Sequence, residues 1–361
     1  MFKKRLLAFS LSLAMLVLVG AGCAQTSTSA TSAATTAAEA STTAAPSTAG
    51  TPSDPFADAP VIKIQFAENQ PANSPIGTLA EDFIKKVAEQ TNNTVQIEFF
   101  PDALLGDEAT VVGMIEAGTV EFTRVNLASL QATVPDVGVL TLPYLYNDAD
   151  HCNRVLESEV GQEILGKLHD ANIVGLTYLK ASGDAEFRSF YSKEPIRSLA
   201  DLKGKKVRVQ ESEIVINMIK ALGAVPTPMA FGEVFQALQT GVVDVAENPM
   251  MGYYLTGHYE AAKYFTYDKH QISPNVYIMS EKCYSAMTDA QKEVFMKALD
   301  EYIDAMIVAS NAASEEYKQK CIEAGVEFIE VDTTEFQQAV QPMYSNYPQY
   351  KDYLDKILAI Q

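Results

Sequence analysis

Between Gly204 and Asn248 the chain alternates strand-like and helix-like runs at a spacing that leaves few architectures open. A β-like run, Lys205 to Val209, opens onto a helical run from about Ser212 to Leu222. The pattern repeats as Val225 to Met229, a helix from Phe231 to Thr240, and a strand from Val242 to Ala246, ending near Asn248. Strand–helix alternation of this kind predicts a parallel sheet in an α/β fold, with the strand ends facing a crevice. Arg208 and Asn248 both fall where strands finish, which would aim both into one cleft. Side chains alternate along a strand, so Val207 and Val209 face one way and Lys206 and Arg208 the other.

Each candidate has a plainer account beside the functional one. From its strand alone, Arg208 is a surface cation next to surface lysines; in a cleft, its planar fork would hold both oxygens of a carboxylate. Arg188 lies between aromatics in Phe187-Arg188-Ser189-Phe190-Tyr191, and its plain reading is an ion pair with Glu186 or Asp184. Asn248 either forms a turn before Pro249 or offers its amide to a hydroxyl or carboxylate oxygen. Phe231 is either core or an apolar face for a ring.

This stretch closely resembles the DctP-type solute-binding proteins of tripartite ATP-independent periplasmic (TRAP) transporters. Gly204-Lys205-Lys206-Val207-Arg208, Phe231-Gly232-Glu233-Val234 and Leu238-Gln239-Thr240-Gly241-Val242 through Asn248 carry the likeness. Leu105-Gly106-Asp107-Glu108 and Leu142-Pro143-Tyr144 extend it over nearly all of Val61 to Val331. The resemblance implies that Arg208 grips a substrate carboxylate, that Arg188 lies beside it, and that Phe231 and Asn248 add contacts. Ala67-Glu68-Asn69-Gln70 and Thr123-Arg124-Val125-Asn126 are similar to segments of relatives associated with hexuronates. Asn69, Glu108, Arg124 and Asn126 would then line the first lobe and read hydroxyls. Glu108 has an alternative as a helix-dipole partner, and Arg124 one as the clamp for a second carboxylate. Glu247 and His270 match polar cleft positions, acting through water or forming a satisfied buried pair.

The N-terminus bears on location. Lys3, Lys4 and Arg5 precede an apolar run, Leu6 to Val19, and then Gly20-Ala21-Gly22-Cys23, the layout of a lipoprotein export signal. Residues 1–22 are therefore expected to be removed and Cys23 acylated. Ser, Thr and Ala dominate Ala24 to Asp54, too polar to repay ordering, so residues 23–58 are expected to be an anchor and disordered tether. Roughly 300 residues remain from Ala59, enough for two lobes. The net charge of −19, about −22 once three basic signal residues are removed, opposes nucleic-acid binding. It says nothing about the ligand's sign, since a few buried arginines set the local potential.

Along the folded part, Ile62, Ile64 and Phe66 share one strand face, and Leu79, Phe83 and Val87 mark a helix over about 75–89. A strand over 95–99, a helix opening at Asp107 and a strand over 119–125 follow. One helix is expected from about Arg154 to His169, then a strand over 173–179. Phe187–Tyr191 and Val276–Ser280 are expected as strands carrying the chain between lobes. Thr288-Asp289-Ala290-Gln291 is a capping box, and helical periodicity to Ala324 gives roughly 50 Å, longer than one lobe is wide. The expectation is a two-lobed periplasmic-binding-protein-like fold with crossing strands at the hinge and a long helix spanning both lobes. Residues 59–185 with 273–313 would form lobe one, and 186–272 with 314–361 lobe two.

Cys152, Cys283 and Cys321 allow one disulfide and a free thiol, or three reduced thiols. No metal-ligand spacing occurs and no cofactor is implied. The resemblance implies an extracytoplasmic receptor that closes on an organic acid, a hexuronate first, and delivers it to TRAP membrane subunits; it is expected to be a monomer, lipid-anchored through Cys23. Two competing functions remain: a sensor's ligand-binding subunit, and a secreted enzyme using His270 and Glu247 as an acid–base pair.

Overall fold

A computed structural model describes residues 54–183 and 186–360. The signal segment, Cys23 and nearly all of the tether lie outside the described residues. Asp54, assigned to the tether, accepts hydrogen bonds from the Phe56 amide at 2.9 Å and the Asn92 side chain at 2.7 Å. The strands run β1 (Ile62–Ala67), β2 (Val95–Phe100), β3 (Phe122–Asn126), β4 (Ile173–Tyr178), β5 (Arg188–Ser192) and β6 (Lys206–Val209). They continue as β7 (Val225–Pro228), β8 (Val245–Asn248), β9 (Tyr264–Gln271), β10 (Asn275–Ser280) and β11 (Glu327–Glu330).

Two mixed sheets result, ordered β2-β1-β3-β10-β4 and β11-β9-β5-β8-β6-β7. The parallel sheet expected for Gly204–Asn248 is present, since β6 pairs parallel with both β7 and β8. The strand expected over 242–246 instead occupies Val245–Asn248, because Val242 is exposed beside Gly241, which takes φ +79° to end the helix Val234–Thr240. Beyond this unit the sheet turns antiparallel: β5 pairs antiparallel with β8 and β9. β5 and β10 each lie in one sheet; the chain crosses between sheets just before them, through 179–187 and 272–274.

Each sheet has its own apolar layers. Ile64 and Phe66 pack with Phe83 of the helix Pro75–Gln90 and with Phe295, Leu299 and Tyr302 of the long helix. Tyr191, Ala246 and Phe265 of the second sheet pack with Val234, Tyr253 and Cys321. The long helix thus contributes to both layers. It runs Asp289–Glu323, 35 residues, and opens on the expected capping box of Thr288 and Gln291. The helix expected over 154–169 is broken: Ser158, extended at ψ 169°, separates Ala149–Glu157 from Glu159–Gly166, and a 3-10 turn follows. Its hydroxyl bonds Val155 O and accepts from Gly161 N, a side-chain alternative to continuing the helix. Residues 341–358, assigned to lobe two, lie against 135–143 and 159–166: Tyr344 and Tyr350 donate to Pro143 O and Pro135 O, and Tyr353 to Glu163.

Candidate functional site

The carboxyl ends of β1, β3, β6 and β8 meet at a cavity of about 390 Å³ lined by residues from both sheets. Eight of the ten candidates line it: Asn69, Glu108, Arg124, Asn126, Arg188, Arg208, Phe231 and Asn248. The other two, Glu247 and His270, lie behind the wall and are wholly buried.

The three arginines have different surroundings. Arg208, 2% exposed, is fixed from behind by Met229 O, which accepts from its Nε at 3.2 Å and Nη2 at 2.8 Å. Its guanidinium carbon lies 5.8 Å from the Phe231 ring centroid. Among the described residues no carboxylate forms an ion pair with it. Burial lowers its pKa, so the charge is held at a cost that an incoming anion would relieve.

Arg188 has a different role from a bare clamp. Its Nε and Nη2 donate to both carboxylate oxygens of Glu247, and Nη1 donates to Asn248 Oδ1 at 3.2 Å. The antiparallel register that pairs Phe190 with Glu247 makes this possible. The ion partner is thus Glu247, rather than the sequence-near acid Glu186. Burial pushes Glu247 upward, but Arg188 and His270 overcome it and hold the carboxyl at about 2. His270 extends the chain, its Nδ1 lying 2.8 Å from Asp268 Oδ2 and its Nε2 3.5 Å from Glu247. Burial disfavours its charge, yet Asp268 and Glu247 raise it to about 9.

Arg124 is likewise spoken for. It donates to both oxygens of Glu68, to Asn275 Oδ1, and to Asn69 Oδ1 at 3.1 Å. The second-carboxylate clamp expected of it therefore already contains the protein's own Glu68. Asn69 passes its Nδ2 to Glu108 at 2.9 Å, and Glu108 also accepts from Ser129 Oγ and, at 3.4 Å, Asn126 N. Asn126 donates to Ser273 O at 2.9 Å and accepts from Ser273 Oγ and Ala128 N, which ties β3 to the crossing segment. One Nδ2 hydrogen of Asn126 remains for the cavity.

Comparison with known proteins bears on what this cleft is. Residues 66–350 match the family model DctP, "bacterial extracellular solute-binding protein, family 7". The chain belongs to this family. A solute-binding protein of Chromohalobacter salexigens is 30% identical over 80% of this chain and 85% of its own length. The C4-dicarboxylate-binding periplasmic protein DctP of Rhodobacter capsulatus is 30% identical over 76% of this chain and 80% of its own. Among solved structures, a TRAP periplasmic solute-binding protein of Xanthobacter autotrophicus Py2, with bound β-D-galacturonate, superposes with TM-score 0.78 at 36% identity. It covers 82% of this chain and 100% of its own. One of Pseudomonas putida F1, with bound D-glucuronate, gives TM-score 0.79 at 36% identity over 83% and 98%.

As a DctP-family member, the protein is an extracytoplasmic solute-binding protein of a TRAP system, and its relatives are named for binding and transport rather than catalysis. The His270–Glu247 acid–base pair fails on geometry as well, since both side chains are sealed behind Arg188. Among the described residues no cluster of metal-ligating side chains occurs, and no helix is long and apolar enough to cross a membrane.

Other functional groups became visible only in three dimensions. Glu68 sits in the quoted Ala67-Glu68-Asn69-Gln70 run, but only the β1–β3 pairing delivers it to Arg124. His258 lines the cavity with Nδ1 2.8 Å from Tyr191 OH; burial, then Arg208, lowers it to about 3. Nothing in its sequence context marks it. Gly252 is required by Asn248: a Cβ there would lie 2.8 Å from Asn248 Nδ2. Tyr144, at φ +55°, donates its amide to His270 O at 2.8 Å and its hydroxyl to Asp268 O, so the Leu142-Pro143-Tyr144 motif buttresses β9. Cys152, Cys283 and Cys321 are buried and unpaired.

Proposed function

We propose that this protein captures a hexuronate, D-glucuronate or D-galacturonate, and delivers it to TRAP membrane subunits while held, as a monomer, at the cell membrane through acylated Cys23. The observation that carries the reading is Arg208: a buried guanidinium facing the cavity with no carboxylate of the described residues against it. Such a charge favours an anion, and its fork suits a carboxylate. Glu108, Asn126 and Asn248 retain polar capacity beyond what a short dicarboxylate would use, and unfilled buried groups cost roughly 1–3 kcal/mol each. Phe231 supplies an apolar face beside Arg208. The uronates bound by the Xanthobacter and Pseudomonas proteins support the same choice.

The test is calorimetric titration with glucuronate, galacturonate, glucose, succinate and pyruvate. Uronates are expected to bind and glucose not to. Succinate or pyruvate binding in place of both uronates would refute the hydroxyl argument, and glucose binding equally well would refute the carboxylate clamp. Mass spectrometry of native membrane fractions is expected to show a lipid-modified N-terminal Cys23; an unmodified chain starting elsewhere would reject the anchor.

A further inference from the structure

The charges around the cavity do not balance once an acid enters. Arg124 is offset by Glu68, and the buried set Arg188, Glu247, His270 and Asp268 holds two positive and two negative groups. His258 is neutral. Lys180, at the edge, pairs with Glu157 in solvent, and Asp102, Asp107 and Glu211 are exposed rim groups. That leaves Arg208 against two lining carboxyls, Glu108 and Glu186. A bound carboxylate would be the third negative group around one positive charge, inside a space from which closure removes water. Like charges in such a setting are relieved by proton uptake on the carboxyl least supported as an anion.

The hydrogen bonds identify that carboxyl. Burial raises the Glu108 carboxyl too, but it accepts from Asn69, Ser129 and Asn126, all of which favour its ionised form. Glu186, half-buried in the segment leading into β5, receives no side-chain hydrogen bond from the described residues. The groups near it are Arg124 from β3, already committed to Glu68, and from the helix Ala149–Glu157 the buried Cys152 thiol, whose own ionisation is suppressed by burial. The long helix offers only uncharged residues to the lining, Met306, Ile307, Ser310, Asn311 and Ser314. Lys269 lies over the neighbouring Phe187 ring, 6.0 Å from its centroid.

We infer that Glu186 is a ligand-contacting residue that enters the complex protonated, donating a hydrogen bond to an oxygen of the bound acid, so that capture takes up a proton. Burial already lifts its carboxyl to about 7 in the unliganded protein. The proton moves from solvent to a Glu186 carboxylate oxygen and no other bond changes. The inference rests on an organic acid occupying this cavity. Its consequence is a receptor that loads better in acidic surroundings and releases better in alkaline ones.

Titrating glucuronate into the full-length protein by calorimetry, in buffers of different ionisation enthalpy, counts protons directly. With a free-state value near 7 and a complex that holds the proton, uptake at pH 7 is about half a proton per ligand, and affinity falls about tenfold from pH 6 to pH 8. Glu186→Gln, which keeps a donor but cannot titrate, is expected to take up none and to bind with a Kd independent of pH over that range. Equal uptake in both proteins, or none in the wild type, would overturn the assignment. So would Glu108→Gln abolishing uptake while Glu186→Gln does not. Failure of both uronates with retained binding of another acid from the panel would refute the hexuronate reading alone, and the proton count would then be made with that acid. Failure of every acid would refute both. Unchanged thermal unfolding of the variants guards against misfolding.

Discussion

Arg208 differs from its two neighbouring arginines in what it lacks. Arg124 and Arg188 face the same cavity, but each is neutralised by a glutamate delivered from a neighbouring strand. Among the described residues Arg208 is held by a carbonyl with no carboxylate beside it, which positions the guanidinium without cancelling its charge. Arg208→Ala is expected to weaken uronate binding several hundred-fold or more, about 3–5 kcal/mol, with the fold intact. Arg208→Lys should fail similarly, because a point charge cannot reproduce the fork. A loss below tenfold for the alanine variant by calorimetry would count against the clamp. Gly252→Ala should also weaken binding, since its methyl would displace Asn248; an unaltered Kd with an unaltered melting temperature would show that Asn248 is dispensable.

The buried Glu247–His270 pair predicts a stability profile with two limbs. Glu247 has a folded pKa near 2, below its ordinary value, so its contribution is present above about pH 4.5 and lost as pH falls through about 2. His270 has a folded pKa near 9, above its ordinary value, so its contribution is complete below about pH 6.5 and lost as pH rises through about 9. Denaturant unfolding across pH should show both limbs, and His270→Gln should flatten the alkaline one. An alkaline limb of undiminished slope in that variant would assign it to another group.

Among the elements, those with strong end signals formed where their sequence placed them. Thr288 and Gln291 close the capping box in both directions, and Asp107 caps Glu108–Glu116 through Thr110 N. Thr288→Ala is expected to cost about 1 kcal/mol in urea unfolding; an unchanged midpoint would mean the box adds nothing in this context. The break at Ser158 shows the opposite case. Apolar periodicity runs on through it, as Val155, Leu156, Val160 and Ile164 are all buried, but a serine hydroxyl bonded to backbone interrupts the helix. Periodicity reports which face is buried, and two short helices can satisfy it as well as one. The displacement of β8 has a similar origin, since a left-handed Gly241 ends the preceding helix and the following residues lead into the sheet.

At the scale of the whole molecule, two sheets share a cavity, one long helix and two crossing segments. Such an arrangement should close on its ligand. Saturation with glucuronate at about a hundred times Kd is expected to add ~2.7 kcal/mol to unfolding free energy, with a smaller radius of gyration in solution scattering. Neither change is expected in Arg208→Ala. An unchanged scattering profile with tight binding would show a cleft preformed in its bound shape.

The sequence by itself determined the α/β class, the capped helix starts and the strands that finish at the cleft, and its family resemblance named eight of the residues lining it. The elements depend on backbone preferences and side-chain alternation within a turn or two, information that is local to the chain, whereas the lining residues were legible only through the resemblance. Tertiary structure alone decided what each arginine does. Arg188 meets Glu247 across 59 residues and Arg124 meets Glu68 across 56, pairings set by which strands lie adjacent in each sheet. Adjacency also put His270 behind the wall rather than in it, and left Arg208, among the described residues, facing the cavity without a carboxylate partner. Local pattern names the charges, and sheet order decides which of them are already neutralised.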